Sequence, residues 1–120
     1  MVAIVNTVLV VEDDSAVLMM LGAALKSTGH STVLIDDAER ALEVLPDENP
    51  DVILCDLRLP GMNGAEFAAI VKSAPVLADI PVILMSAYDE PKGHAADAFV
   101  SKPFDPFDVV QLVEELASNK

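Results

Sequence analysis

The chain has a single cysteine, Cys55, and only seven lysine and arginine residues among its 120 positions. One cysteine supports neither a disulfide framework nor a cysteine-based metal cluster. The basic residues face 20 acidic ones, and the formal net charge of −13 opposes binding to nucleic acid or anionic membranes. No apolar stretch is long enough to span a bilayer, and residues 1–6 lack the basic flank and cleavage site of a signal peptide. We therefore expect a cytoplasmic protein.

The chain does contain enough apolar residues, 52%, to build one core, so we interpret residues 1–120 as one domain. Segments with strand and helix patterns alternate along it. The predicted strands are 7–11, 32–35, 51–55, 81–85 and 98–100, the predicted helices are 15–28, 37–45, 64–73 and 105–117, and residues 46–50 are predicted as a loop. Strands joined through helices run parallel when they share a sheet, and near-continuous apolar strands need helices on both faces. This pattern predicts a doubly wound, five-stranded α/β fold.

Polar side chains follow four of the predicted strands. Glu12 and Asp13 follow the first strand, Asp56 the third, Ser86 the fourth and Lys102 the fifth. In a parallel sheet all carboxyl ends lie at one edge, which is where ligands bind in open α/β folds. The topology therefore predicts three carboxylates, a hydroxyl and an ammonium group at one rim.

Three carboxylates at one rim repel each other, since two unit charges about 4 Å apart cost roughly 4 kcal/mol at an effective dielectric near 20. A hard divalent cation relieves this repulsion, with Mg²⁺ as the first expectation and Mn²⁺ or Ca²⁺ as substitutes. Lys102 and Ser86 suit an anion beside the metal. Because carboxylates form aspartyl-phosphates, the residue types favour a phosphoryl site with a carboxylate nucleophile.

Four segments in this order resemble the receiver domain of bacterial two-component response regulators. They are Val10-Val11-Glu12-Asp13-Asp14, the stretch 56–64, Leu84-Met85-Ser86-Ala87 and the stretch 99–104. Each segment is weak evidence alone, but together they lie at the ends of strands one, three, four and five. The resemblance covers nearly the whole chain and implies the flavodoxin-like strand order 2-1-3-4-5.

The resemblance also implies roles at the rim. Asp56 would be the phosphoacceptor, taking a phosphoryl group from a sensor histidine kinase or a histidine phosphotransfer protein. Asp13 would bind Mg²⁺ directly with help from Glu12, and the backbone carbonyl of Arg58 would be a further ligand. Lys102 would hold the phosphoryl group. The protein would be a phosphorelay switch and not an enzyme, beyond slow autophosphorylation and autodephosphorylation.

The signal would leave the site through a second set of residues. By the same resemblance, Ser86 turns toward the phosphoryl group and Phe99 turns inward, which carries the change to a surface that binds a protein target. The Lys102-Pro103 peptide bond is expected to be cis. Arg58 and Tyr88 occupy positions that tune dephosphorylation, and these two bulky side chains are predicted to slow it.

The chain departs from the family between the fourth and fifth strands. This stretch is about six residues shorter than the usual pattern, close to two helical turns, and it contains Pro91 and Gly93. Both residue types break helices. We predict that the fourth helix is shortened, distorted or mobile, and that the family's output-face dimer is absent or altered. His30 and His94 have no obvious partners in the sequence and are interpreted as surface residues.

Three other functions compete with this one. A phosphohydrolase of the haloacid-dehalogenase kind also uses an aspartate and Mg²⁺, but it places a second acid two residues after the nucleophile, where this chain has Arg58. Flavin electron transfer shares the fold but needs a Ser/Thr/Gly-rich phosphate loop where Glu12 and Asp13 stand. A phosphorylation-independent docking module is compatible with the sequence and stays open.

Overall fold

The computed structural model describes residues 6–119. They form one parallel sheet of five strands in the order β2-β1-β3-β4-β5, which confirms the predicted architecture. The elements are β1 Thr7–Val11, α1 Ser15–Ser27, β2 Ser31–Ile35, α2 Ala38–Glu48, β3 Val52–Asp56, α3 Gly64–Ser73, β4 Val82–Ser86, β5 Ala98–Ser101 and α4 Pro106–Ser118. None of these helices is long and apolar enough to cross a membrane.

Helices cover the two faces of the sheet. On one face, α1 and α4 pack against alternate residues of the inner strands, and α2 and α3 pack against the other set. β3 and β4 are buried along their whole length, as expected for apolar strands covered on both sides. The two strands that carry Asp56 and Ser86 are therefore the most firmly packed in the sheet.

Each described helix begins at a residue whose side chain accepts a hydrogen bond from a backbone amide of the first turn. These N-cap residues are Asp14, Asp37, Asn63 and Asp105. Such caps stabilise a helix by about 1 kcal/mol each. Asp14 accepts from the amides of Ala16 and Val17 at 2.9 and 3.2 Å, so it begins α1 and leaves Glu12 and Asp13 as the site acids.

The predicted loop at residues 46–50 is wrong in its first half, because α2 continues through Pro46 to Glu48. Pro46 has no amide to donate to the carbonyl four residues earlier, so α2 loses one hydrogen bond in its last turn. The helix ends instead at Asn49, whose φ of 42° is left-handed and whose amide donates to the Leu45 carbonyl at 2.9 Å. Asparagine tolerates this conformation better than most residues.

Residues 87–97 join β4 to β5 and contain no helix, so the shortened helix predicted between these strands is absent. We call these residues the β4–β5 segment. The turn at Lys92 and Gly93 interrupts it, and Gly93 has a φ of 70°, which favours glycine. Without a helix over it, β5 is half-buried at Ala98, Phe99 and Val100 and exposed at Ser101.

Candidate functional site

The strand register assembles the site at the carboxyl edge of the sheet. Val11 pairs with Cys55 on β3, so Glu12 and Asp56, the next residues along, are neighbours across two strands. Ser86 pairs with Ser101 on β5, and the Lys102 amide donates to the Ser86 carbonyl at 2.8 Å. The side chains after β1, β3, β4 and β5 thus share one rim because of the backbone hydrogen bonding of the sheet.

One ammonium group bridges two buried carboxylates. Lys102 Nζ lies 2.6 Å from Glu12 Oε1 and 3.0 Å from Asp56 Oδ1. Glu12 Oε2 also accepts a hydrogen bond from the Asp14 amide at 3.1 Å. The Lys102-Pro103 peptide bond that follows is cis, as predicted. Lys102 is held at the acids from β5, on the opposite side of Asp56 from Glu12's own strand.

Two of the site carboxylates, those of Glu12 and Asp56, belong to buried residues. Glu12 is 1% exposed and Asp56 is 6% exposed. Burial raises the pKa of both carboxyl groups, although the hydrogen bond from Lys102 partly offsets it. Burial alone would lower the pKa of Lys102, but its hydrogen bonds to Glu12 and Asp56 and their charges outweigh this effect and raise it. The negative charge of the site is thus only partly neutralised by protein groups.

Asp13 completes a cluster that fits a metal ion. One carboxylate oxygen from each of Glu12, Asp13 and Asp56 lies within 4.8 Å of the others. Asp13 is exposed, whereas the other two are buried, so the cluster is open to solvent on one side. A set of only oxygen donors, with one side open, matches the preference of Mg²⁺ for a few carboxylates together with water or phosphate oxygens. The residues therefore fit the predicted cation, and the ligation by the Arg58 carbonyl stays a prediction.

Ser86 is buried beside the acids, and its hydroxyl has a backbone partner. Its Oγ accepts a hydrogen bond from the Tyr88 amide at 3.0 Å. Tyr88 is 60% exposed, and its ring lies under the guanidinium of Arg58, whose Cζ is 4.1 Å from the ring centroid. This distance is within the range of a cation–π contact. The two predicted dephosphorylation-tuning residues are thus in contact with each other, one from each side of the rim.

Phe99 has a neighbour that the sequence did not reveal. Phe99 is half-buried on β5, and its ring centroid lies 6.3 Å from that of His94. The interpretation of His94 as a surface residue is wrong, since its side chain is only 10% exposed and its Nε2 lies 2.6 Å from Glu90 Oε2. The spacing of four residues between Glu90 and His94 is typical of a side-chain pair on a helix. Pro91 and Gly93 argue against a helix here, so this spacing did not predict the contact.

His30 is also buried, at 4% exposure, and its predicted surface position is wrong. Its Nδ1 accepts from the Asn6 amide at 3.2 Å, and its Nε2 lies 2.7 Å from Glu114 Oε2. These contacts tie the start of β1 to α4, at the opposite edge of the sheet from Asp56. His30 therefore has a structural place in the described residues and no part in the candidate site.

The fold and the site together define a class of protein: an open parallel α/β domain whose rim carries three carboxylates and one lysine around a strand-end aspartate. The family model of the response regulator receiver domain matches residues 8–114, and the chain belongs to this family. Receiver domains are the phosphoacceptor modules of two-component signalling.

Relatives and solved structures agree with this assignment. The phosphate regulon transcriptional regulatory protein PhoB of Pseudomonas aeruginosa is 33% identical over 111 residues, covering 88% of this chain and 48% of the relative. The DNA-binding response regulator MtrA of Mycolicibacterium smegmatis is 32% identical over 112 residues, with the same coverage. This chain thus spans about half the length of these relatives. The signal receiver domain of a signal transduction histidine kinase from Syntrophus aciditrophicus superimposes with a TM-score of 0.89 at 29% identity, covering 95% of this chain and 91% of that one.

Proposed function

We propose that this chain is a phosphorelay switch in which Asp56 accepts a phosphoryl group. The observation that carries the proposal is the position of the Asp56 carboxylate, which ends β3 beside Glu12 and Asp13 and lies 3.0 Å from the Lys102 ammonium. A nucleophile beside metal-binding acids and one cation has what phosphoryl transfer requires from a protein, namely positioning and charge neutralisation.

The reaction follows from the groups present. An Asp56 carboxylate oxygen attacks the phosphorus of a phosphohistidine on a sensor histidine kinase or a histidine phosphotransfer protein. The phosphorus–oxygen bond of an acyl phosphate forms, the phosphorus–nitrogen bond breaks, and the imidazole leaves with the bonding electrons and takes up a proton. Lys102, already within hydrogen-bond distance of Asp56, follows the negative charge onto the phosphoryl oxygens.

Glu12, Asp13 and Asp56 would hold Mg²⁺ at this site, with the Arg58 carbonyl as a further ligand and with Mn²⁺ or Ca²⁺ as substitutes. When bound, the cation neutralises charge on the phosphoryl oxygens. The protein's part is to keep three carboxylates, two of them buried, close together at the rim, which costs free energy without a cation and so favours binding one.

The signal passes through Ser86 and Phe99. Ser86 Oγ accepts from the Tyr88 amide in the resting state, and turning toward a phosphoryl group on Asp56 gives the hydroxyl a charged acceptor instead. The space that the hydroxyl leaves on the β5 side is filled by the half-buried Phe99 ring. The change then reaches a protein target on the surface around β4 and β5, in the cytoplasm. A net charge of −13 argues against nucleic acid or an anionic membrane as the direct contact of this chain.

The test compares wild type with Asp56→Asn during exposure to acetyl phosphate, with and without Mg²⁺. We expect a stoichiometric mass gain of one phosphoryl group in wild type with Mg²⁺, and none in Asp56→Asn or after Mg²⁺ is removed. Asp79→Asn is the matched control, because Asp79 is exposed and lies before β4, at the opposite edge of the sheet. Phosphorylation of Asp56→Asn at the wild-type rate would refute the assignment of the acceptor.

A further inference from the structure

The β4–β5 segment has no helix to pack on the sheet, but a contact between Glu90 and His94 helps to hold it there. We call this contact the clasp. Glu90 and His94 are joined by a 2.6 Å contact from the carboxylate to Nε2. An ionised carboxylate can only accept, so Nε2 carries the proton in this pair. Pro91 and the left-handed Gly93 form the turn between them. This contact places the imidazole ring of His94 against Phe99 on β5.

The other nitrogen of the His94 ring is buried without compensation. Nδ1 has no hydrogen-bond partner among the described residues. Burying a polar atom without a partner costs free energy, which water would restore if the ring moved outward. The contact with Glu90 and the packing on Phe99 therefore hold His94 in its resting position, whereas the cost of the unpartnered nitrogen favours release. An element balanced in this way can change state for a small change in its contacts.

Two contacts of the segment involve residues of the proposed switch. At its start, the Tyr88 amide donates to Ser86 Oγ at 3.0 Å. Near its end, His94 rests on Phe99 at 6.3 Å between ring centroids. If Ser86 turns to a phosphoryl group and Phe99 moves inward, the Tyr88 amide loses its acceptor and His94 loses its packing surface in the same event.

We propose that His94 is a positioning residue that, paired with Glu90, holds Phe99 in its resting orientation, and that activation of the site releases the β4–β5 segment from this clasp. The inference rests on the proposed function, because it takes Ser86 and Phe99 as the switch. In this proposal the His94 side chain, and not a helix, is the part of the β4–β5 segment that responds to the position of Phe99. The surface of the β4–β5 segment then differs between the resting and the activated state.

The first test uses nuclear magnetic resonance on the wild-type chain. Beryllofluoride with Mg²⁺ serves as the probe of the activated site. The amides of Leu57 and Lys102 report whether the probe binds beside Asp56, and the ring carbon-bound protons of His94 report whether the clasp opens. We expect both sets of signals to shift together. Phe99→Leu should move the His94 ring signals before any addition and make them insensitive to the probe.

Two substitutions of the same residue should act in opposite directions. His94→Gln keeps a polar group near Glu90 but removes the ring from Phe99, so the resting state weakens and the affinity for beryllofluoride rises by roughly fivefold. His94→Phe keeps a ring on Phe99, loses the contact with the half-exposed Glu90 and removes the buried, unpartnered nitrogen. Because an unsatisfied buried polar atom costs more than a half-exposed pair contributes, the resting state is held more firmly and the affinity falls. Lys92 is an exposed neighbour in the same turn, and Lys92→Gln should leave the affinity for beryllofluoride unchanged.

The outcomes separate the two proposals. If the Leu57 and Lys102 amides respond while the His94 ring signals stay fixed, the clasp is wrong and the phosphoacceptor assignment stands. If no site amide responds to the probe, the proposed function fails first. Equal affinities in wild type, His94→Gln and His94→Phe, or shifts of both variants in one direction, would also overturn the role of His94.

Discussion

The two connections that leave Asp56 and Ser86 are built in contrasting ways. From β3 to β4 the chain passes through α3, which begins with a capping box between Asn63 and Glu66 and buries Phe67, Ala68 and Val71 against the sheet. From β4 to β5 it passes through the β4–β5 segment, which has no helix and leaves β5 half-buried. The first connection is held by apolar burial, and the second by a few polar and ring contacts.

This contrast separates the chemistry from its readout. Burial of whole apolar side chains contributes several times more free energy than single hydrogen bonds near the surface. The strand ends that carry the acids are therefore held at a precise spacing, whereas the β4–β5 segment belongs to the low-stability part of the fold. Elements that move in signalling are drawn from that part.

The largest difference should appear in stability. Phe67→Ala removes a fully buried ring from α3 and should lower the free energy of unfolding by about 3–5 kcal/mol. Tyr88→Ala removes the ring of a residue in the β4–β5 segment that is 60% exposed, and it should cost no more than about 1 kcal/mol. Urea unfolding followed by circular dichroism measures both. Similar losses for the two variants would show that the two connections are equally firm.

The next effect concerns the lysine between the acids. Lys102→Met keeps the length of the side chain but removes the charge that lies 2.6 Å from Glu12 and 3.0 Å from Asp56. The rate of phosphorylation by acetyl phosphate should fall by about 10²- to 10³-fold, as for loss of one preorganised electrostatic group. Lys92→Met, in the turn of the β4–β5 segment, is the matched control and should phosphorylate at the wild-type rate. Equal rates in the two variants would remove Lys102 from the chemistry.

Most of the fold and the position of the site could be predicted from the sequence, because they follow from pattern and topology. Apolar runs such as residues 52–55 give strands, and parallel strands bring their carboxyl ends together whatever the loops do. The parallel topology alone therefore places Glu12, Asp56 and Lys102 at the same edge of the sheet. Their burial and the sharing of one ammonium by two carboxylates depend on side-chain placement, which the sequence pattern does not determine.

The misjudged residues lie where local rules compete with tertiary contacts. Pro46 reads as the end of a helix because it lacks an amide donor, but α2 continues past it to Glu48. His94 reads as a surface residue, because its burial depends on a turn at Gly93 and on Phe99 from another strand. The breakers Pro91 and Gly93 predicted a disturbed helix and could not predict what replaces it. The altered output-face dimer stays a prediction.

The smallest effect tests whether the two connections meet over the acceptor. Arg58 follows β3 and Tyr88 follows β4, and the guanidinium lies 4.1 Å from the ring centroid. An exposed cation–π contact contributes about 0.5–1 kcal/mol, which corresponds to about a two- to fivefold change in rate. We expect the Arg58→Ala, Tyr88→Ala double variant to lose its phosphoryl group faster than wild type by this factor, since water then reaches Asp56 more easily.

The decay of the phosphorylated protein after removal of acetyl phosphate measures this lifetime. Tyr88→Phe keeps the ring under the guanidinium and should decay like wild type. The two single alanine variants should each account for most of the double effect, because residues in contact are not additive. Equal lifetimes in wild type and the double variant would mean that the β4–β5 segment does not shield the acceptor. A shorter lifetime in the double variant, together with the small stability loss expected for Tyr88→Ala, would show that this weakly held segment acts on the chemistry without supporting the fold.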